Sequence, residues 1–144
     1  MIRSVNPATG EELAAFEQAG ALEIDRSIDA AVRAQARWET TPVEERVKLL
    51  SAVAKVLRKN IATYAALITR EMGKPIIEAE AEVEKCAVTC DYYAENAARF
   101  IAEETVATNA AESYIVYEPV GVVLALMPWN FPFFQVFRFA APSL

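Results

Sequence analysis

The stretch PVGVVLALMPWNFP, residues 119–132, decides which fold this chain can adopt. Residues 120–127 are nearly all apolar, which is typical of a strand buried on both faces of a parallel sheet. Pro132 then begins a helical pattern that runs from Phe133 to the last residue. A buried strand followed by a helix predicts an α/β fold. Because no second strand of this kind is present, and a buried strand needs neighbours for its backbone groups, we expect the sequence to be a truncated part of a larger sheet protein.

The residues before this stretch predict two hairpins and four helices. The second strand of the first hairpin covers 12–16, and the second hairpin pairs 104–108 with 113–118. The helices cover 24–38, a segment beginning at Pro42, 61–72 with Gly73 as terminator, and 76–98. The second helix is predicted to begin with a capping box made by Thr41 and Glu44. The apolar residues expected on buried faces are Val43, Val47, Leu50, Ala54 and Leu57 in the second helix, and Val83, Cys86, Ala87, Cys90 and Ala94 in the fourth.

The charge balance disfavours several classes of partner and site. The 144 residues contain 14 Lys and Arg against 20 Asp and Glu, a net charge of −6, so we expect neither nucleic acid nor an anionic membrane as a partner. There is no histidine and there are only two cysteines, so we expect no metal site and no His-containing catalytic couple. The first residues lack the apolar core of a signal peptide, and free thiols suit a reducing compartment. These features predict a cytoplasmic protein.

The 19 uncharged residues between Glu118 and Arg138 approach the length of a membrane-spanning helix. Proline and glycine interrupt them repeatedly, and each proline removes a helical hydrogen bond. We therefore expect no membrane span.

Two short motifs have a functional and a structural interpretation. Gly73-Lys74 resembles the end of a phosphate loop, but Ile68 stands where the first glycine is needed, so a helix terminator is favoured. Cys86 and Cys90, four residues apart on a helix, are either a redox or nucleophilic pair or two buried thiols, and the helical spacing favours burial.

A run of alternating glutamates, Glu78, Glu80, Glu82 and Glu84, suggests a carboxylate cluster. Steps of two spread side chains around a helix, so we expect most of these groups to be solvated and assign them no catalytic role.

Asn130 is the most informative candidate residue. It comes directly after the predicted buried strand, at the end of a sheet where α/β proteins place their chemistry, and Pro128 and Pro132 restrict the backbone around it. A fixed amide can donate a hydrogen bond to a developing oxyanion. Alternatively, asparagine only tolerates the dihedral angles of the turn, which the spacing alone favours.

Three segments together resemble the aldehyde dehydrogenase superfamily: residues 118–132, Asn6-Pro7-Ala8-Thr9-Gly10-Glu11 and Glu71-Met72-Gly73-Lys74-Pro75. The similarity covers essentially the whole chain, which matches the N-terminal portion of a longer family, and residues 79–96 look closest to its succinate-semialdehyde branch. The resemblance implies that 1–103 form the hairpin and helices of the cofactor-binding domain. It also implies that 104–118 form a hairpin of the oligomerisation sheet, and that 119–144 form the first parallel strand of the cofactor-binding domain and a truncated helix.

The resemblance also implies site residues. Asn130 would stabilise the oxyanion of a thiohemiacetal, and Leu126, Met127, Pro128 and Trp129 would border NAD or NADP. Phe131, Gln135 and Arg138 would line the aldehyde tunnel, with no metal involved. Arg138 shares a helical face with Gln135 and suits the carboxylate of succinate semialdehyde, although a surface or ion-paired arginine is the alternative.

The family's nucleophilic cysteine and general-base glutamate have no counterpart in this sequence, so we expect the chain alone to be inactive. The complete enzyme is expected to be a homodimer or homotetramer. A second hypothesis is a non-catalytic helical module for oligomerisation or interaction, derived from the same family.

Overall fold

The computed structural model describes residues 1–144 and contains five helices and two separate antiparallel strand pairs. In chain order the elements are β1 (Ile2–Val5), β2 (Glu12–Phe16), α1 (Ala21–Trp38), α2 (Val43–Lys59), α3 (Ile61–Met72), α4 (Ile76–Phe100), β3 (Glu104–Thr105), β4 (Tyr114–Ile115) and α5 (Phe134–Ser143). The fold is therefore mostly helical. None of these helices is long and apolar enough to cross a membrane.

The core lies where α2, α3 and α5 pack against the long helix α4. Residues predicted to be buried from their helical spacing are in this core: Ala54, Leu57, Val83, Cys86, Ala87 and Cys90. The other predicted stripe residues, Val43, Val47, Leu50 and Ala94, are half-buried. Packing the apolar faces of these helices together removes the buried stripe of α4 from water, and burial of apolar surface is the main favourable term in folding.

Most helices begin and end within a few residues of the positions predicted from the sequence. Helix α3 has the predicted limits, and Gly73 ends it in the left-handed conformation, with φ of 74°. Only a residue without a side chain adopts this conformation at no steric cost. Helix α4 continues to Phe100, two residues past the predicted end, and α1 begins at Ala21, three residues earlier than predicted.

The predicted capping box at the start of α2 is wrong. Pro42 occupies the cap position with φ −54° and ψ 144°, the helix begins at Val43, and no side chain caps it. The Thr41 hydroxyl donates instead to the carbonyl of Arg37, at 3.2 Å. It is thus engaged by the end of the preceding helix α1.

The two hairpins are present, but the second is shorter than predicted. In the first, Ile2 pairs with Phe16 and Ser4 with Ala14, and the register shifts after Ser4. In the second, only Glu104–Thr105 and Tyr114–Ile115 pair, so the remainder of 104–108 and 113–118 is not strand.

The predicted parallel strand is not formed. Residues 116–128 carry no regular secondary structure, and three of the side chains expected to be buried are among the most exposed: Val120 (89%), Leu124 (83%) and Leu126 (86%). A strand needs a neighbour to pair its backbone, and neither strand pair of this structure lies alongside the segment. Within these 144 residues the predicted parallel strand is therefore absent, and the structure is mostly helical with two small antiparallel pairs.

Candidate functional site

A cavity of about 470 Å³ lies between α4 and the turn that leads into α5. Four of the residues predicted as site residues line it: Asn130, Phe131, Gln135 and Arg138. Helical spacing explains part of this arrangement, because Gln135 and Arg138 are three residues apart on one face of α5. The opposite wall is the face of α4 that carries Glu78, Ala81, Glu82 and Lys85.

None of the four residues predicted to border a cofactor lines this cavity. Leu126 and Met127 line a neighbouring depression that also contacts Gln135 and Arg138. Trp129 projects into solvent with 77% of its surface exposed, and Pro128 is exposed as well. The structure thus brings two of the four to the edge of the site and leaves Pro128 and Trp129 outside it.

Glu82 is the one buried member of the glutamate run, of which most members were expected to be solvated. It is 5% exposed, and its Oε1 atom accepts hydrogen bonds from the backbone N–H groups of Phe133 and Phe134, at 3.0 and 3.1 Å. These amides belong to the first turn of α5, where helix donors have no partner within the helix. The spacing contained a signal for this burial, because Glu82 lies three residues after Ala79 and four before Cys86, both fully buried.

Lys74 is buried on the other side of this carboxylate. It is 7% exposed, forms an ion pair with Glu82, and places its Nζ atom 3.8 Å from the centre of the Phe131 ring. Gly73 positions it, because the turn that ends α3 directs the chain back towards α4. The motif was correctly interpreted as a helix terminator, but the sequence did not indicate a role for the lysine itself.

Two further cations face the cavity. Lys85 from α4 lies 4.3 Å from the centre of the Phe134 ring, and the Arg138 guanidinium lies 6.0 Å from the same ring. Neither side chain forms an ion pair with a carboxylate of this chain. Arg138 is exposed, so of its two alternative interpretations the structure excludes the ion-paired arginine and leaves the surface arginine open. The cavity lining therefore holds two cations without an ion-pair partner, Lys85 and Arg138, and one such carboxylate, Glu78.

The two cysteines are inert in this structure. Both side chains are fully buried and unpaired, away from the cavity lining. Burial, and to a smaller extent the charge of Glu82, raises the pKa of the Cys86 thiol to about 12, and burial also raises the pKa of Cys90. A protonated thiol is a poor nucleophile, which agrees with the prediction that both serve as small apolar residues.

Comparison with known proteins establishes the family. The model of the aldehyde dehydrogenase family matches residues 1–144. The chain belongs to the aldehyde dehydrogenase family. The resemblance inferred from the sequence is thereby confirmed.

Similar members of the aldehyde dehydrogenase family come from several bacteria. A probable NADP(+) succinate-semialdehyde dehydrogenase of Synechocystis is 45% identical over 99% of this chain and 32% of its own length. An Escherichia coli NAD(P)+ succinate semialdehyde dehydrogenase is 42% identical over 98% of this chain and 30% of its own length. The crystal structure of succinic semialdehyde dehydrogenase from Streptococcus pyogenes, in complex with NADP+, superposes with a TM-score of 0.94 at 34% identity, covering 98% of this chain and 31% of that one. This aldehyde dehydrogenase chain thus spans about a third of the length of its relatives.

Proposed function

We propose that this chain supplies the oxyanion-stabilising amide and the aldehyde-binding surface of an NAD(P)-dependent aldehyde dehydrogenase that oxidises succinate semialdehyde. The observation that carries the proposal is the shared cavity of Asn130, Phe131, Gln135 and Arg138, in a chain of this family. Family membership supports the class of reaction, and the position of Arg138 in the cavity lining supports a substrate that carries a carboxylate.

Asn130 is the group proposed to act on the reacting carbonyl. When a thiolate adds to an aldehyde, the carbonyl oxygen becomes an oxyanion, and a donor already aimed at that oxygen stabilises the transition state more than the ground state. The Asn130 side chain is exposed at the cavity and makes no hydrogen bond within the chain, so its N–H groups are free for this purpose. An amide also donates without exchanging a proton with the substrate.

Arg138 is proposed to bind the carboxylate at the far end of the substrate. Its guanidinium offers paired donors that match a carboxylate. Arg138 follows Asn130 by eight residues and lines the same cavity. One molecule with an aldehyde at one end and a carboxylate at the other could therefore contact both side chains. Phe131 and Gln135 would contact the chain of carbon atoms between them.

The residues proposed to border the cofactor suit a flat, amphipathic group. Leu126 and Met127 present apolar side chains beside the cavity, and their backbone groups make no hydrogen bond within the chain. Pro128 and Trp129 continue this exposed surface. NAD or NADP, when bound, accepts the hydride in this class of reaction.

The nucleophile is proposed to come from outside this sequence. Cys86 and Cys90 are buried and protonated, and no other cysteine is present. We therefore propose that the 144-residue chain alone does not oxidise aldehydes. The segment 104–118 is proposed to join an oligomerisation sheet in the complete enzyme.

The substrate assignment is tested with Arg138→Ala in the complete enzyme. We expect kcat/KM for succinate semialdehyde to fall by about 10²-fold, since a charge-assisted bidentate contact is lost. The loss for an uncharged aldehyde of similar length should be several-fold smaller. Arg33→Ala, an exposed arginine of α1 with no polar contact, is the matched control. Equal losses on both aldehydes would contradict the carboxylate role.

The second candidate, a non-catalytic interaction module, is favoured by the exposed apolar segment at 120–126. The coding sequence downstream of Leu144 distinguishes the two functions. A continuing frame with a family cysteine supports the enzyme, and a stop codon supports the module.

A further inference from the structure

We propose that the buried Lys74–Glu82 ion pair is a positioning device that holds the Asn130 turn in its working geometry. This inference rests on the proposed function of Asn130. Glu82 lines the cavity, but Lys74 and the amides of Phe133 and Phe134 engage both of its carboxylate oxygens, so we expect the pair to act through the segment it holds.

The carboxylate of Glu82 fixes one end of the turn. Helix α5 begins at Phe134 with Phe133 as its cap residue, and no side chain of its own caps it. Glu82 supplies the missing acceptor from α4, taking both Phe133 N–H and Phe134 N–H on one oxygen. A negative charge at a helix N-terminus also interacts favourably with the helix dipole. The start of α5 is thus tied to a helix residue that is 51 positions earlier in the sequence.

Lys74 fixes the other side of the same turn. Its ammonium group neutralises Glu82 through the second carboxylate oxygen and lies over the Phe131 ring at 3.8 Å. A cation over an aromatic face is attracted by the ring's quadrupole. Asn130 therefore lies next to a residue held by Lys74 and three residues before one held by Glu82.

Stability alone does not account for this pair. Burying two charges costs desolvation free energy that their attraction often fails to recover, and apolar replacements of similar size are frequently no less stable. An apolar pair, however, offers no acceptor for the two amides of α5. A misplacement of about 1 Å at a reacting centre can lower the rate by about 10²-fold. Fixing the position of Asn130 would therefore benefit catalysis even if the ion pair added nothing to the stability of the fold.

The first test measures positioning in the 144-residue chain itself, by amide hydrogen exchange. In Glu82→Ala we expect Phe133 and Phe134 amides to exchange at least about 10-fold faster, because they lose their only acceptor, while amides in the middle of α4 are unchanged. Glu84→Ala is the matched control, since Glu84 lies on the same helix and pairs with Arg58 instead. Unchanged exchange at Phe133 and Phe134 would overturn the proposal, whatever the enzyme activity.

A second variant covers the case in which Glu82→Ala fails to fold. Lys74→Met combined with Glu82→Gln keeps an acceptor oxygen and removes both buried charges. We expect its exchange at Phe133 and Phe134 to stay within about 3-fold of the parent chain, whereas Lys74→Met alone leaves an uncompensated carboxylate and should exchange faster. A double variant that exchanges as fast as the single one would contradict the role assigned to the oxygen.

The third test connects position to rate in the complete enzyme. We expect Glu82→Ala to lower kcat by about 10–10²-fold with KM for NADP little changed. In an Asn130→Ala background, Glu82→Ala should lower kcat by less than about 3-fold, because the effects of residues that act as one unit do not add. An undiminished loss in that background would overturn the proposal. If the complete enzyme oxidises no aldehyde, the proposed function fails, while the exchange measurement still decides the role of the pair.

Discussion

At the scale of single residues, Cys86 shows how burial changes thiol chemistry. Its pKa of about 12 keeps the thiol protonated near neutral pH, and its side chain is out of reach of solvent. We expect iodoacetamide to modify neither Cys86 nor Cys90 in the folded chain, and both after unfolding, as measured by mass spectrometry. Equal modification of folded and unfolded chains would contradict this.

The raised pKa of Cys86 also predicts how the stability of the folded chain changes with pH. In the unfolded chain the Cys86 thiol titrates near its usual pKa of 9.0, and in the folded chain near 12. The unfolded chain therefore loses its proton first as pH rises, so the stabilising contribution of the neutral thiol is complete below pH 9 and is lost as pH rises towards 12. The urea midpoint should fall less steeply across this window in Cys86→Ala than in the parent chain.

The residues around Asn130 show which features of a site the sequence can indicate. Gln135 and Arg138 were expected to share a helical face, and both line the cavity with Asn130 and Phe131. Most of the glutamates at 78–84 were expected to be solvated, because steps of two spread them around the helix, and only Glu82 is buried. The spacing of α4 places Glu82 on the buried face, but no local pattern indicates its partners, which are Lys74 and two backbone amides of α5.

At the scale of elements, the contact between α2 and α4 contains a buried apolar side chain next to partly exposed ion pairs. Leu57 is 3% exposed in the core, and Arg58 forms ion pairs with Glu84 and Asp91 at 2.9 and 2.6 Å on the partly exposed rim. We expect Leu57→Ala to lower the free energy of unfolding by about 2–5 kcal/mol, because it leaves a cavity.

The neighbouring change Arg58→Gln is the matched comparison. We expect it to lower the free energy of unfolding by about 1 kcal/mol or less, since exposed ion pairs contribute little. Added salt should reduce the effect of Arg58→Gln and leave that of Leu57→Ala unchanged. Urea unfolding measures both, and a larger loss for Arg58→Gln would contradict the account of the core.

Helices were predicted well because their spacing, breakers and terminators are local. Gly73 ends α3 as expected, and the stripe of α4 from Val83 to Cys90 is buried as expected. The strand at 120–127 was predicted from hydrophobicity alone. Its formation requires neighbouring strands, a non-local condition that these 144 residues do not meet.

At the scale of the whole molecule, the exposed apolar segment should govern association. Val120, Leu124 and Leu126 are each more than four-fifths exposed within seven residues, and monomeric proteins rarely leave large apolar patches in water. We expect the purified chain to self-associate with rising concentration in light scattering, and Leu124→Lys with Leu126→Lys to suppress this. Leu49→Lys, at a half-exposed position of α2, is the control. An unassociated chain at all concentrations would contradict the prediction.

The central claim is that Asn130 stabilises an oxyanion during aldehyde oxidation, and NADPH formation by the complete enzyme tests it most directly. With succinate semialdehyde and NADP, we predict that Asn130→Ala lowers kcat by about 10²–10³-fold, the loss typical of removing one oxyanion donor. Asn109→Ala, in the exposed loop between β3 and β4, should retain the parent rate. An Asn130→Ala enzyme with undiminished kcat, or a complete enzyme that forms no NADPH or NADH from any aldehyde, would contradict the account.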